Sequence, residues 1–158
     1  MMRKRLISTI EEQVLAHDDR WIDIQKAAVV EVSSEEKDFP IDSALLPGEG
    51  EGWRAAKPGS QTVRLMFDQP QELRRIVLVF EEKDIPRTQE FVLRWSPNGG
   101  HSFQQIVRQQ WNFSPPETVS EREEYEVELS HVTILELKIT PDISGGIARA
   151  ALKSLRLS

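Results

Sequence analysis

The spacing of apolar residues changes near Ile22. Before it, Leu6, Ile7, Ile10, Val14 and Leu15 recur at steps of three or four, which predicts an amphipathic helix over about 3–17. Arg3-Lys4-Arg5 opens this stretch against the helix dipole, so its first turn is expected to fray. After Ile22 the step becomes two. Ala28–Val32 is a short β-branched run. Val63, Leu65 and Phe67 alternate with Arg64 and Met66. Over 76–80 both parities are apolar, which predicts a central strand covered on both sides. Phe91, Leu93 and Trp95 alternate with Val92 and Arg94. Residues 103–113 form another extended run. Tyr125, Val127 and Leu129 alternate with glutamates, a half-exposed strand. Leu135, Leu137 and Ile139 follow, and Leu155 and Leu157 flank Arg156 at the end.

Turn chemistry separates these runs. Asp68-Gln69-Pro70 and Ser96-Pro97-Asn98-Gly99-Gly100 are turn signals, with Asn-Gly among the strongest before a new strand. Ser114-Pro115-Pro116 and 141–146 mark longer loops. Within the loop-rich 35–52 stretch, Pro40 is well placed to open a single helical turn over 40–45. About eight short strands with almost no helix after the N-terminus predict an all-β sandwich or barrel. The expected organisation is a helical extension over 1–20 and one β domain over 21–158.

Composition narrows the chemistry. The chain has 158 residues, enough for one domain with a full core. A net charge of -6 gives no global pull toward nucleic acid or anionic lipid. There is no cysteine, which excludes disulfides, thiolate nucleophiles and Cys-ligated metals. The basic start is broken by Ser8-Thr9 and Glu11-Glu12 before it reaches the apolar run of a signal peptide, and no stretch approaches the roughly 18 apolar residues of a membrane span. A cytoplasmic protein is the expectation.

The order of features from 28 to 157 resembles the discoidin-like, or coagulation-factor C-type, domains of the galactose-binding-domain-like superfold. Val32-Ser33-Ser34 ends a strand and leads through a proline-bearing loop to Ala44-Leu45. A Gly-rich stretch then reaches Gly52-Trp53-Arg54-Ala55. Pro58-Gly59-Ser60 precedes the strand at Val63. Phe67-Asp68-Gln69-Pro70 and Leu73-Arg74-Arg75-Ile76 resemble the turn, proline and hydrophobic strand that come next in that family. The most specific match is 90–103, a strand followed by Ser96-Pro97-Asn98-Gly99-Gly100-His101-Ser102-Phe103. The resemblance implies a jelly-roll β-sandwich that binds ligands through the loops at one end. Such domains often hold a calcium in the loop after the first strand, with a Glu from the last strand. Asp42, Glu49 and Glu51 could supply oxygens here. The position of the last-strand Glu holds Ser154, beside Lys153, so no metal is carried over.

No catalytic constellation stands out. His17, His101 and His131 have no metal-ligand spacing, and His101 and His131 read as surface turn residues. Glu121-Arg122-Glu123-Glu124 reads as a solvated strand face. Gly48-Glu49-Gly50-Glu51-Gly52 has no helix after it and is not a phosphate cradle. The expectation is a non-catalytic binding module. Its candidate ligand residues are Trp53, Arg54, Arg87, Trp111 and Asn112, in which aromatics would stack on a sugar and Arg or Asn would bond its hydroxyls. The core offers a competing role for Trp53 and Trp111. A second reading is a protein-interaction or assembly module. It would use the exposed-parity arginines Arg64, Arg94 and Arg108, unless these pair with glutamates such as Glu90 and Glu136, and self-association through the N-terminal helix.

Overall fold

The structure is a computed structural model that describes residues 21–48 and 50–158. The expected N-terminal helix, the boundary after residue 20, His17 and Glu49 lie outside the described residues. Among the described residues there are two single-turn helices. In α1 (Ile24–Ala27), Asp23 caps the N-terminus by accepting from the Lys26 amide. α2 (Asp42–Leu45) is the helical turn expected after Pro40. The strands are β1 (Ala28–Val32), β2 (Trp53–Arg54), β3 (Gln61–Glu81), β4 (Arg87–Ser96), β5 (Gln104–Phe113), β6 (Ser120–Thr140), β7 (Ala151–Leu152) and β8 (Ser154–Leu157).

All pairings between these strands are antiparallel. The larger sheet runs β1-β3-β6-β4-β5, with β8 added on β3. β3 and β6 are each 21 residues long and serve both layers of a sandwich. Their early and late halves, 61–66 and 134–139, sit between β1 and β4. Their other halves, 75–81 and 120–126, form the second layer with β8. The all-β jelly-roll expectation is met. Two expected turns are not turns: Asp68-Gln69-Pro70 and the Ser130-His131 region lie inside continuous strands. The register shifts between Met66 and Gln71 and again up to Arg75. Pro70, which has no N–H to give the ladder, falls in the unpaired stretch. His131 takes φ 62° on the facing strand. These bulges bend both strands from one layer to the other.

Alternation then fills the space between the layers. Val63, Leu65, Phe91, Leu93, Leu135, Leu137 and Ile139 come from one side, and Ile76, Leu78, Phe80, Leu155 and Leu157 from the other. The rings of Phe80 and Phe91 meet across the gap at 5.1 Å. Trp53, Ala55 and Leu152 close one end of this core, where β2 pairs with β7. That end carries one concave part of the surface, and a second lies on the outer sheet face around Arg94, Phe103 and Arg108.

Candidate functional site

A cleft of about 280 Å³ opens at the β2–β7 end of the sandwich. Phe39 and Glu51 bring in the first long loop, and Arg54 follows on β2. Glu81 ends β3 and Glu82 to Ile85 form the turn after it, and Ile147 and Arg149 come from the last loop. Glycine makes the close approach possible at Gly52. Its φ is +87°, and a Cβ there would lie 2.6 Å from the Leu152 carbonyl oxygen. Arg54 is exposed, and its guanidinium lies 4.7 Å from the centre of the Phe39 ring. Among the described residues no carboxylate pairs with Arg54. Arg149, in contrast, donates to Glu36 Oε1. Ile85 and Ile147 add an apolar rim, and Ile147 is 79% exposed. Cationic donors, the carboxylates of Glu51 and Asp84, and aliphatic surface thus converge in one depression, a combination suited to the hydroxyls and C–H faces of a sugar.

The five residues singled out from the sequence do not form one patch. Arg54 lines the cleft. Trp53 is 1% exposed, and its indole Nε1 donates to the Ser34 carbonyl at 2.9 Å, so it plugs the core beneath the cleft. Arg87 has a fully buried side chain. Its Nε donates to Glu82 Oε1 at 2.7 Å and its Nη1 to the Pro141 carbonyl at 2.7 Å, while its guanidinium lies over the Phe113 ring at 4.8 Å. It therefore holds two loops together from behind. Trp111 and Asn112 stand on β5 rather than in a loop. Trp111 is half-buried, Asn112 accepts from Thr88 Oγ1, and neither lines the cleft. Phe39, Ile147 and Arg149 were missed by sequence reasoning. The available signal was an apolar residue in a Gly-rich loop, as at Ile143 and Ile147.

A polar chain runs inward from Glu82. Burial works against the charge of Glu82, but Arg87 and the backbone N–H groups of Asp84 and Ile85 hold its carboxyl below the usual range. Arg87 Nη1 also donates to Gln89 Oε1, and Gln89 Nε2 donates to Glu121 Oε1, both at 3.2 Å. Glu121 corrects the expectation of a solvated face: it is 1% exposed, with Oε2 lacking a partner. Burial, with Glu123 repelling from the same strand face, pushes its carboxyl up to about 7. It does not line the cleft.

The arginines of the outer sheet face are paired. Arg64 bonds Glu136 through Nε and Nη2 and Glu31 through Nη1, all within 3.0 Å. Arg94 bonds the other Glu136 oxygen at 2.5 Å and stacks on Phe103 at 3.9 Å. Arg108 bonds Glu90 at 2.6 Å. Burial opposes the charge of Glu136, yet Arg94 and Arg64 hold its carboxyl below the usual range. The stripe is largely neutralised by its own sheet.

The fold is that of family 32 carbohydrate-binding modules, which are discoidin-like, galactose-binding-domain-like jelly rolls. The module of C. perfringens NanJ in complex with galactose matches at TM-score 0.59 and 14% identity, over 87% of this chain and 96% of that one. CpGH89CBM32-5 from Clostridium perfringens, in complex with GalNAc-β-1,3-galactose, matches at 0.63 and 14% identity, over 87% and 98%. The AlyQ module in complex with 4,5-unsaturated mannuronic acid matches at 0.61 and 9% identity, over 84% and 95%. No family model matches the sequence, and no curated protein sequence does.

Proposed function

We propose that this chain is a non-catalytic carbohydrate-binding module whose ligand enters the cleft at the β2–β7 end. The observation that carries the reading is Arg54: an exposed guanidinium, oriented by the Phe39 ring, free of a carboxylate partner among the described residues and turned to a depression that also holds Glu51 and Asp84. Bidentate donation from Arg54 to neighbouring hydroxyls or to a sugar carboxylate would fix orientation. Ile85, Ile147 and the rim of Phe39 would cover the less polar ring face. Trp53 and Arg87 act in this reading as supports beneath the floor. The galactose, GalNAc and uronate ligands named for modules of the same fold support the ligand class without selecting the sugar.

A glycan array probed with the full chain, followed by titration calorimetry on the best ligand, tests this. Arg54→Ala should weaken binding at least tenfold, and Ile147→Ser by a smaller factor, with thermal unfolding unchanged in both. Binding to no glycan, or an Arg54→Ala variant that binds like the parent, overturns the reading.

A further inference from the structure

The calcium implied by the discoidin resemblance would draw its oxygens from the 42–52 stretch. Three of that stretch's backbone carbonyls are already engaged by side-chain cations. Lys153 Nζ donates to the Gly50 carbonyl at 3.0 Å. Arg156 donates to the Ala44 carbonyl through Nη1 at 3.1 Å and to the Leu46 carbonyl through Nη2 at 2.8 Å. Nη1 also meets the carbonyl of Leu155 at 2.9 Å. Both cations rise from a rigid base. The Lys153 amide donates to the Val79 carbonyl at 2.8 Å, and β8 pairs with β3 from Ser154 to Leu157. Ser154, at the position where the resemblance places a carboxylate, offers only a hydroxyl. Among the described residues no three His, Asp or Glu side chains gather as a metal-ligand set. The described donor set therefore does not fit a divalent ion. Two fixed positive charges stand among the carbonyls that the ion would need, and a cation placed beside them meets repulsion rather than ligands.

We propose that Lys153 and Arg156 take the place of a structural metal ion, so that side-chain cations of the closing strands lock the 42–52 loop without calcium. The physics is that of helix C-terminal caps and other charge-assisted bonds to carbonyls, in which ammonium and guanidinium groups satisfy several backbone oxygens at once. Gly50 shows how tightly the loop is drawn in, since a Cβ there would lie 3.1 Å from the Ser43 carbonyl oxygen. The locked loop leads directly into Glu51 and Arg54, so its closing strands also position one wall of the cleft. The lock does not depend on the sugar reading, and its test reads the loop alone.

Thermal unfolding of the full chain is compared in excess EGTA and in millimolar calcium chloride. The expected midpoints agree within about 1 °C, because an ion that does not bind the folded chain does not stabilise it. A calcium site of micromolar affinity would instead raise the midpoint by roughly 8 °C or more, and any rise of several degrees overturns the proposal. Lys153→Met and Arg156→Met should each lower the midpoint by roughly 3–10 °C. They should also speed amide exchange at Ala44 and Leu46 at least tenfold, with central β3 and β6 unchanged. Lys153→Arg should retain most of the protection. If Arg156→Met does not fold, Lys153→Met and the calcium comparison decide. Methionine variants that melt and exchange like the parent overturn the proposal.

Discussion

Replacing Glu121 with glutamine should stabilise the protein above neutral pH and leave it little changed in acid. Glu121 lies between the layers at 1% exposure, accepts one bond from Gln89 and leaves Oε2 unpartnered. Burial is the main cause of its raised carboxyl pKa and Glu123 the second. The Gln89 bond and the Arg87 charge oppose them without cancelling them. Its pKa in the fold is about 7, against 4.5 in the open chain. Between these values the folded protein keeps a proton that the unfolded chain releases, so stability falls as pH rises from 4.5 through 7 and then levels off. At about 1.4 kcal/mol for each pH unit, the gap costs about 3 kcal/mol at pH 8. In Glu121→Gln the new side chain would keep the Gln89 bond through its carbonyl oxygen and carry no charge. Its amide nitrogen would meet a site without an acceptor, at about 1 kcal/mol. The net expectation is a gain of about 2 kcal/mol at pH 8 and a small loss at pH 4.5. Urea unfolding of both proteins from pH 4.5 to 8.5 measures this. Glu136, whose arginine partners lie outside the polar chain that holds Glu121, titrates alike in parent and variant and cancels in the difference. A stability difference that does not change with pH would refute the reasoning.

Two further substitutions probe the same end of the sandwich. Arg87→Met removes the partner of Glu82 and the donor to the Pro141 carbonyl in a fully buried setting, and should cost about 3–5 kcal/mol in urea unfolding. A cost near zero would show that the chain from Glu82 to Glu121 contributes nothing net. Gly52→Ala places a Cβ against the Leu152 carbonyl at a φ of +87°, and should cost roughly 2–4 kcal/mol and loosen the β2–β7 pair. A calorimetric melting temperature equal to the parent's would show that the two strands can move apart without penalty.

Strand content was legible because alternation is a local signal. Val63, Leu65 and Phe67 face inward in the structure as their spacing requires. Continuity was not legible. A bulged corner and a turn ask for the same residue types, since both need a proline or a residue tolerant of positive φ where the ladder is interrupted. Asp68-Gln69-Pro70 therefore looks like an end when it is a bend. The cleft was legible only at Arg54, beside the glycine that lets β2 meet β7. The pairing of Glu36 with Arg149 joins residues 113 positions apart, and no local pattern announces it.

The buried polar chain was hidden for a different reason, and it could have been found. Parity along β4 places Arg87 and Gln89 on the inward face with Phe91 and Leu93, and along β6 it places Glu121 and Glu123 with Tyr125 and Val127. Reading Glu121 to Glu124 as a charge run discarded that period. Carried through, parity says that both layers turn polar at the same end of the sandwich, and inward polar groups must find one another or be left unpaired. They do both: Arg87 reaches Glu82 and Gln89 reaches Glu121, while Arg87 Nη2, Trp111 Nε1 and Glu121 Oε2 stay without partners. The apolar core thus reaches the cleft floor at Trp53 and Leu152 but gives way on the Glu82 side, where a polar layer with unmet hydrogen-bonding capacity supports the wall. An apolar layer there would pack more stably but would give Glu82 no cation to hold its charge, and the turn that presents Asp84 and Ile85 would lose the carboxylate that accepts its backbone N–H groups.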